Sequence, residues 1–476
     1  MSASQTLGGP SRCGRVLGSS LDKIIKNAAW RKHSNYKLET LSDAGSPDPT
    51  SPLLGLSSSD ADFVLNPILL ALDSNYAKVA DPALECVSKL FSAGVVRGEI
   101  DGNNSDSILY KIIESVCKVG GIGEESVELA LLRALLAAVR CPCVLIRGDC
   151  LLQVVRTCFN VYLGGLNGTN QICAKSVLAQ IMLIVFARAE EDSMDVTIRT
   201  VPVSELLEFT DKNLNEGSSI YFCQNFVSEV MSASEGVPDL KFSQPVEVLQ
   251  NGESKVEEEE IRDEKAKNGL ELGAGGVSSK IREDGFVIFK NLCKLSMKFS
   301  SQENPDDHIL LRGKILSLEL LKVIMDNGGS IWRSNERFLN AVKQFLCLSL
   351  LKNSALLVMS IYELQCSIFM SLLTKYRSGL KAEIGIFFPM LILRVLENVL
   401  QPSFVQKMTV LNMLEKIGGD SQIIIDIFVN YDCDVDSPNI FERFLQDCQW
   451  PSENCSRATT GFNHNFVCSS GYHLPA

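Results

Sequence analysis

The stretch FVNYDCDVDSPNIFERF, residues 428–444, crowds four carboxylates, Asp432, Asp434, Asp436 and Glu442, into a short segment. Alternating aspartates are the donor pattern of an EF-hand calcium loop, which draws ligands from its positions 1, 3 and 5. With Asp432 at position 1, the sharp-turn position 6 is Ser437 in place of Gly, and position 12 is Arg443 in place of a bidentate Glu. A guanidinium where the essential carboxylate belongs repels the ion, so the calcium reading fails on both tests. Further on, Cys448, Cys455, His464, Cys468 and His473 offer five zinc-type ligands, but spacings of seven, nine, four and five contain no C-x₂-C knuckle, and coincidence is the better account. Cys141-Pro142-Cys143 suits a helix end better than a redox C-x-x-C pair. There is no G-x-x-x-x-G-K-[ST] loop, no G-x-G-x-x-G after a strand and no G-x-S-x-G elbow. VGGIGEES, residues 119–126, lacks a lysine and reads as a turn between two helices. The four histidines, His33, His308, His464 and His473, stand apart from plausible Ser or Cys nucleophiles. No catalytic residue, metal or cofactor is expected.

The elements that position these residues follow from composition and period. A chain of 476 residues exceeds what one core usually supports, so several units or a repeat array are expected. Hydrophobic residues make up 46%, enough for a large core. A net charge of −12 and a pI near 5.1 argue against a general affinity for nucleic acid. Of sixteen cysteines, Cys86, Cys117, Cys150, Cys158, Cys173, Cys293, Cys347 and Cys366 fall within apolar helical runs, where the thiol behaves as a small hydrophobe. The start, MSASQTLGGPSRCGRVLG, lacks a signal-peptide core, and a reducing cytosol is the expected compartment. Asn167-Gly168-Thr169, a glycosylation acceptor by pattern, therefore reads as a turn. The longest uncharged apolar run, residues 176–187, is short of the ~20 needed to span a bilayer and reads as a buried helix.

Along the chain, residues 1–60 hold one basic amphipathic helix, Leu21 to His33, and a Pro/Ser-rich loop. Ser59 or Asp60 is the expected N-cap of a helix starting near Ala61. Residues 61–232 read as helix after helix with short joints. In ESVELALLRALLAAVR, Val127, Leu131, Ala134, Leu135 and Ala138 form the apolar stripe, with Glu128 and Arg133 off its centre. Residues 233–279 carry the run Glu257 to Glu260 and read as a disordered acidic linker, either a plain spacer or a contact for a basic partner. Helices resume over 280–445, with Pro389 expected to kink its helix or mark a fresh start. Residues 446–476 have no period and look like an appended, disordered tail. The fold class is all-α, read as an armadillo- or HEAT-type α-solenoid in two segments joined by the linker. A globular all-helical domain is the alternative.

Asn430, Tyr431, Asp432, Cys433 and Asp434 match the Asn, aromatic, Asp-Cys-Asp box found upstream of the catalytic domain in large Arf guanine-nucleotide exchange factors. Residues 279–304 and 387–411 resemble the same domain in the plant brefeldin A-inhibited exchange proteins. LDKIIKNAAWRKH, CKVGGIGEESVELALLRALLAAVR and YLGGLNGTNQICAKSVLAQIMLIVFAR resemble that family's N-terminal dimerisation and cyclophilin-binding domain. The resemblance covers about residues 1–445. It departs from the family after His33, where a first helical hairpin is expected to be incomplete, and after Arg443. The family's catalytic exchange domain has no counterpart in the chain, which looks like an N-terminal piece.

The resemblance implies a non-catalytic regulatory and dimerisation scaffold. Its implied partners are a second copy of the chain, cyclophilin-type and Arf-family proteins, and its implied place is the cytoplasm, peripherally at trans-Golgi and endosomal membranes. A generic armadillo-type peptide-binding adaptor, unrelated to Arf, is the competing reading. For the box itself, Asp432 and Asp434 follow the apolar run IIIDIFVN, where Asn and Asp side chains accept from free N–H groups and cap a helix beginning near Pro438. Two readings stay open: capping alone, or capping together with a contact to the N-terminal domain, which the resemblance suggests.

Overall fold

The computed structural model describes residues 12–29, 51–207, 217–233, 276–298, 308–356, 358–399 and 401–449. These form two compact units, Met1–Asn353 and Ser354–Ala476. Helix is the rule in both, and the all-α expectation holds. The expected linker, apart from its ends, and the tail beyond Gln449 lie outside the described residues. So do four of the five zinc-type ligands, Cys455, His464, Cys468 and His473; of the fifth, Cys448, only the backbone is described.

In the first unit, α1 (Arg12–Ala29) starts nine residues before the expected Leu21. Its extra turns bury Leu17 and Ser20, and Ser20 Oγ accepts from Lys89 Nζ at 2.9 Å. Next come α2 (Ser58–Leu72) and α3 (Ala77–Ser92). The cap of α2 is Ser57, two residues earlier than expected. Its backbone is extended and its Oγ accepts from Asp60 N at 3.2 Å, a bond that a cap at Ser59 or Asp60 would forgo.

Strand β1 (Gly98–Ile100) precedes α4 (Ile108–Val119), and α5 (Glu125–Arg140) precedes β2 (Val144–Ile146). The VGGIGEES turn is a 3₁₀ turn closed by Gly123 in the left-handed region at φ +77°. β1 and β2 pair in parallel, Gly98 with Val144 through Ile100 with Ile146, and so zip two successive helix-to-helix joints together. Three residues are too few to show a strand period, so this pair was invisible in sequence. CPC does end a helix: α5 stops before Cys141, and the buried Arg188 guanidinium donates to the carbonyls of Val139, Arg140 and Cys141 at 2.8, 2.9 and 3.2 Å.

Helices α6 (Gly148–Gly164) and α7 (Gly168–Glu191) follow, then the short α8 (Val203–Leu206) and α9 (Gly217–Ser232). Asn167 is the N-cap of α7, its Oδ1 accepting from Asn170 N at 2.7 Å. By length and composition α7 is long and apolar enough to cross a membrane, yet 94% of its most apolar window is buried inside the protein. Helices α5, α6, α9, α10 (Gly276–Met297) and α11 (His308–Asn327) all pack on it, and a helix apolar all round is one that neighbours surround. The apolar stripe of α5 is buried as expected, but so is Glu128. Its Oε2 accepts from Asn170 Nδ2 at 2.7 Å and Leu166 N at 3.2 Å, which satisfies the carboxylate inside.

α10 opens inside the stretch expected to be linker. The unit closes with α12 (Ile331–Ser334), α13 (Glu336–Ala341) and α14 (Cys347–Asn353), the last two joined by a π-helical turn at Val342–Leu346. Among the cysteines whose side chains are described all are free and all but Cys117 and Cys433 are buried; of the eight expected within apolar helical runs, Cys117 is half-buried and the other seven are buried.

The second unit holds α15 (Met359–Ser371), α16 (Lys381–Phe388), α17 (Arg394–Leu396), α18 (Phe404–Gly418), α19 (Ser421–Ile427) and α20 (Ile440–Gln449). Pro389 marks no fresh start of a helix. It opens a π-helical turn, Pro389–Leu393, that carries α16 into α17. A proline has no N–H to continue the α ladder, and the wider turn absorbs that loss. Tyr362 Oη donates to Leu391 O inside this turn at 2.8 Å.

Candidate functional site

The box at 430–434 is built where α19 widens into a π-helical turn, Phe428–Asp432, that ends with Cys433 N donating to Phe428 O at 3.1 Å. The extra residue turns Tyr431 inward. Its ring is 4% exposed and its hydroxyl donates to Lys381 O at 2.7 Å. Burial pushes the phenol's pKa up, with the Glu383 charge adding to it. A Cβ at Gly385 would stand 3.2 Å from the Tyr431 ring, so the ring rests where α16 has no side chain. Asn430 Nδ2 donates back to Asp426 O at 2.8 Å.

The two aspartates do different work. Asp432 Oδ2 accepts from Phe441 N and Oδ1 from Glu442 N, both at 2.8 Å, so its carboxylate covers two free N–H groups in the first turn of α20. The cap acts from nine residues upstream, and α20 begins at Ile440, two residues beyond the expected Pro438. Asp434 folds the turn: Oδ1 accepts from Asp436 N at 3.2 Å, and Oδ2 accepts from Ser437 Oγ at 3.0 Å and pairs with Lys381 Nζ at 2.6 Å. The Lys381 ammonium, followed by those two hydrogen bonds, holds the Asp434 carboxyl at about 2. Arg443 pairs with Glu397, its Nε 3.2 Å from Oε1. Cys433 and Val435 are exposed, Val435 completely. Among the described residues no group of His, Cys, Asp or Glu is placed to hold a metal ion.

A second constellation, in the first unit, was not singled out in the sequence. Lys175 of α7 and Glu319 of α11 form a buried ion pair, Nζ to Oε1 at 2.7 Å, with side chains 1% and 5% exposed. Arg147, between β2 and α6, lies 3.0 Å from Glu99 Oε1 and 3.6 Å from Asp284 Oδ2 on α10. Asp284 Oδ1 also accepts from Gly148 N at 3.0 Å. Gly148 sits at φ +55°, and a Cβ there would meet Asp101 Oδ1 at 2.8 Å, so only glycine fits this corner. Burial raises the Asp284 carboxyl to about 6, against the lowering by the Gly148 N–H and Arg147. Glu190 Oε1 at the end of α7 accepts from Ser330 Oγ at 3.1 Å and Ile331 N at 2.9 Å, capping α12. The signal for these contacts was available. Lys175 is the one charge in nineteen residues of α7, Gly168 to Phe186, and a charge inside a helix apolar all round needs a buried partner.

Two ion pairs, Lys175–Glu319 and Arg147–Asp284, and the hydrogen bonds accepted by Glu190 therefore join residues before 193 to residues after 281. Comparison with known proteins follows the same division. Residues 11–193 match the Mon2/Sec7/BIG1-like dimerisation and cyclophilin-binding domain, and residues 281–440 match the Mon2/Sec7/BIG1-like HUS domain. The chain is 66% identical over 456 residues to brefeldin A-inhibited guanine nucleotide-exchange protein 1 of Arabidopsis thaliana, covering 94% of this chain and 26% of that protein. It is 62% identical over 459 residues to protein 4 of that series, covering 94% and 27%. With the human protein 1 it shares 29% over 520 residues, covering 82% and 28%. The chain thus spans about a quarter of the length of the curated relatives it matches. Two domain matches in the same order, with this identity along nearly the whole chain, lead to one conclusion: the chain belongs to the Mon2/Sec7/BIG1-like family and carries its dimerisation and cyclophilin-binding domain and its HUS domain.

Proposed function

We propose that this chain is a regulatory and self-association scaffold of an Arf guanine-nucleotide exchange factor in Golgi and endosomal vesicle traffic. The observation that carries the reading is the pair of domain matches, over 11–193 and 281–440, in relatives named as guanine nucleotide-exchange proteins. The chain itself supplies no group that displaces a nucleotide. Its work is to present surfaces. One row of helices, α1, α3, α5, α7 and α9, packs neighbour to neighbour beside a second row of α2, α4 and α6, an arrangement in keeping with an α-solenoid. Such an array leaves an end face to cover, and self-association through the N-terminal domain covers it. Cyclophilin-type and Arf-family proteins are the partners, met at a peripheral membrane site. The box Asn430, Tyr431, Asp432, Cys433 and Asp434 is a contact for a neighbouring domain or partner. Tyr431 and Asp432 hold its shape, while exposed Cys433 and Val435 are offered outward.

Light scattering and a nucleotide-release assay test this together. The purified chain is expected to run as a dimer at micromolar concentration and to leave GDP release from Arf at its spontaneous rate. A strict monomer refutes self-association, and acceleration proportional to chain concentration refutes the scaffold role.

A further inference from the structure

Helices α6, α10 and α11 leave a groove of about 640 Å³ between them. Its apolar lining includes Leu295 and Ile309, which remain 39% and 58% exposed. Gly313 lines it from the interior of α11, where glycine weakens a helix relative to alanine. Neither backbone nor packing requires it there. Its φ is not left-handed, and an added Cβ would meet the Phe159 ring at 3.5 Å and Leu163 Cδ1 at 3.8 Å, ordinary van der Waals contact. What the missing side chain does is keep the Phe159 ring open to the groove.

Charge says what enters. Arg156, Lys294 and Lys298 are exposed along the groove, and among the described residues no acidic residue lines it, although the chain carries −12 overall. Lys314, also in the lining, turns its ammonium inward to Ser296 O at 2.7 Å and Asn353 Oδ1 at 2.8 Å. We propose that this groove docks an acidic amphipathic helix of a partner protein. Apolar side chains on one face of that helix pack over Gly313 and against Phe159, and carboxylates beside them meet Arg156, Lys294 and Lys298. Recessed apolar walls between three helices with a basic rim are the complement of such a helix. A flat anionic lipid surface reaches the rim but not the Phe159 ring.

The test uses the full chain and a fluorescein-labelled synthetic helix of about 18 residues, with Leu at i, i+3, i+4 and i+7 and Glu on the other face. Anisotropy should give binding at least about tenfold tighter than for the same helix with Lys in place of Glu, and weaker in added salt. Gly313→Leu, which fills the groove, and the surface triple R156E/K294E/K298E should each weaken it about tenfold while circular dichroism stays helical. Failure of the acidic helix to bind, equal binding of the basic helix, or unchanged affinity in both variants overturns the proposal. Sedimentation with phosphatidylserine vesicles that the triple variant loses would assign the groove to membrane and overturn it too. In sequence, Glu303, Asp306 and Asp307 lie between Lys298 and α11; tighter binding after E303Q/D306N/D307N would make that stretch of the chain the occupant, with the same consequence.

Discussion

Asp432→Ala removes an acceptor that serves two backbone N–H groups, those of Phe441 and Glu442, each at 2.8 Å. Asn439, next to the first residue of α20, donates its Nδ2 to Glu442 Oε2 at 2.8 Å and accepts from neither N–H, which both bond to Asp432. Loss of a capping residue costs about 0.5–2 kcal/mol, and a carboxylate filling two sites belongs in the upper half, about 1–2 kcal/mol. If the opening of α20 is local, that energy multiplies the exchange rate of its amides by about five- to thirtyfold. Hydrogen exchange read by mass spectrometry over 440–449 measures it, with helices of the first unit as internal control. Asp432→Asn, which keeps one acceptor oxygen, should fall between. Asp434→Ala should raise the exchange rates less than Asp432→Ala does, because its strongest bond is a solvent-screened ion pair with the exposed Lys381. Added calcium should alter none of these rates, since Arg443 stands where the ion would need a carboxylate. Unchanged exchange in Asp432→Ala, or protection that rises with calcium, would refute the account of the box as a capped junction.

Three further outcomes follow from the first unit. Lys175→Met leaves Glu319 buried without its cation and should destabilise the chain by about 3–5 kcal/mol in urea unfolding; a loss under about 1 kcal/mol would mean that the pair is solvated. Asp284 has its folded pKa raised from 3.8 to about 6, so the folded state holds the proton more tightly, and its contribution is full below pH 4 and lost as pH rises to about 6. Asp284→Asn should flatten that fall, worth about 2–3 kcal/mol at most, in denaturation midpoints taken from pH 4 to 7; an unchanged slope would locate the titration elsewhere. Gly148→Ala, forced into a left-handed backbone 2.8 Å from Asp101 Oδ1, should lower the melting midpoint by the equivalent of more than about 1 kcal/mol, and a neutral result would show that this corner relaxes.

Much of this was written in short-range patterns. The helix at Val127 to Ala138, the turn at Asn167, the glycine turn at 119–126 and the helix end at Cys141 depend on neighbours a few residues apart, and each was legible from residue type and spacing. The box was legible as a junction for the same reason: an apolar run, then Asp-x-Asp, then Ser-Pro. What the sequence could not say is which N–H groups those carboxylates serve. Asp432 reaches Phe441 only because a π-helical turn rotates the chain after Phe428, and no period announces one extra residue in a helix.

The longer the separation, the less the sequence decided. Lys175 and Glu319 stand 144 residues apart, and each alone is only a misplaced charge; stacking α11 on α7 makes them a pair. The parallel pairing of residues 98–100 with 144–146 likewise exists because two helical joints are brought to one place. Residues 281–353 follow an acidic stretch that reads as a boundary, yet they belong to the same compact unit as the helices before it. A buried face can be recognised from its own residues, but its partner is chosen by shape and charge across the assembled core. That is why the presence of most helices was settled by the sequence, while several of their ends and the contacts between distant helices were decided only by the tertiary structure.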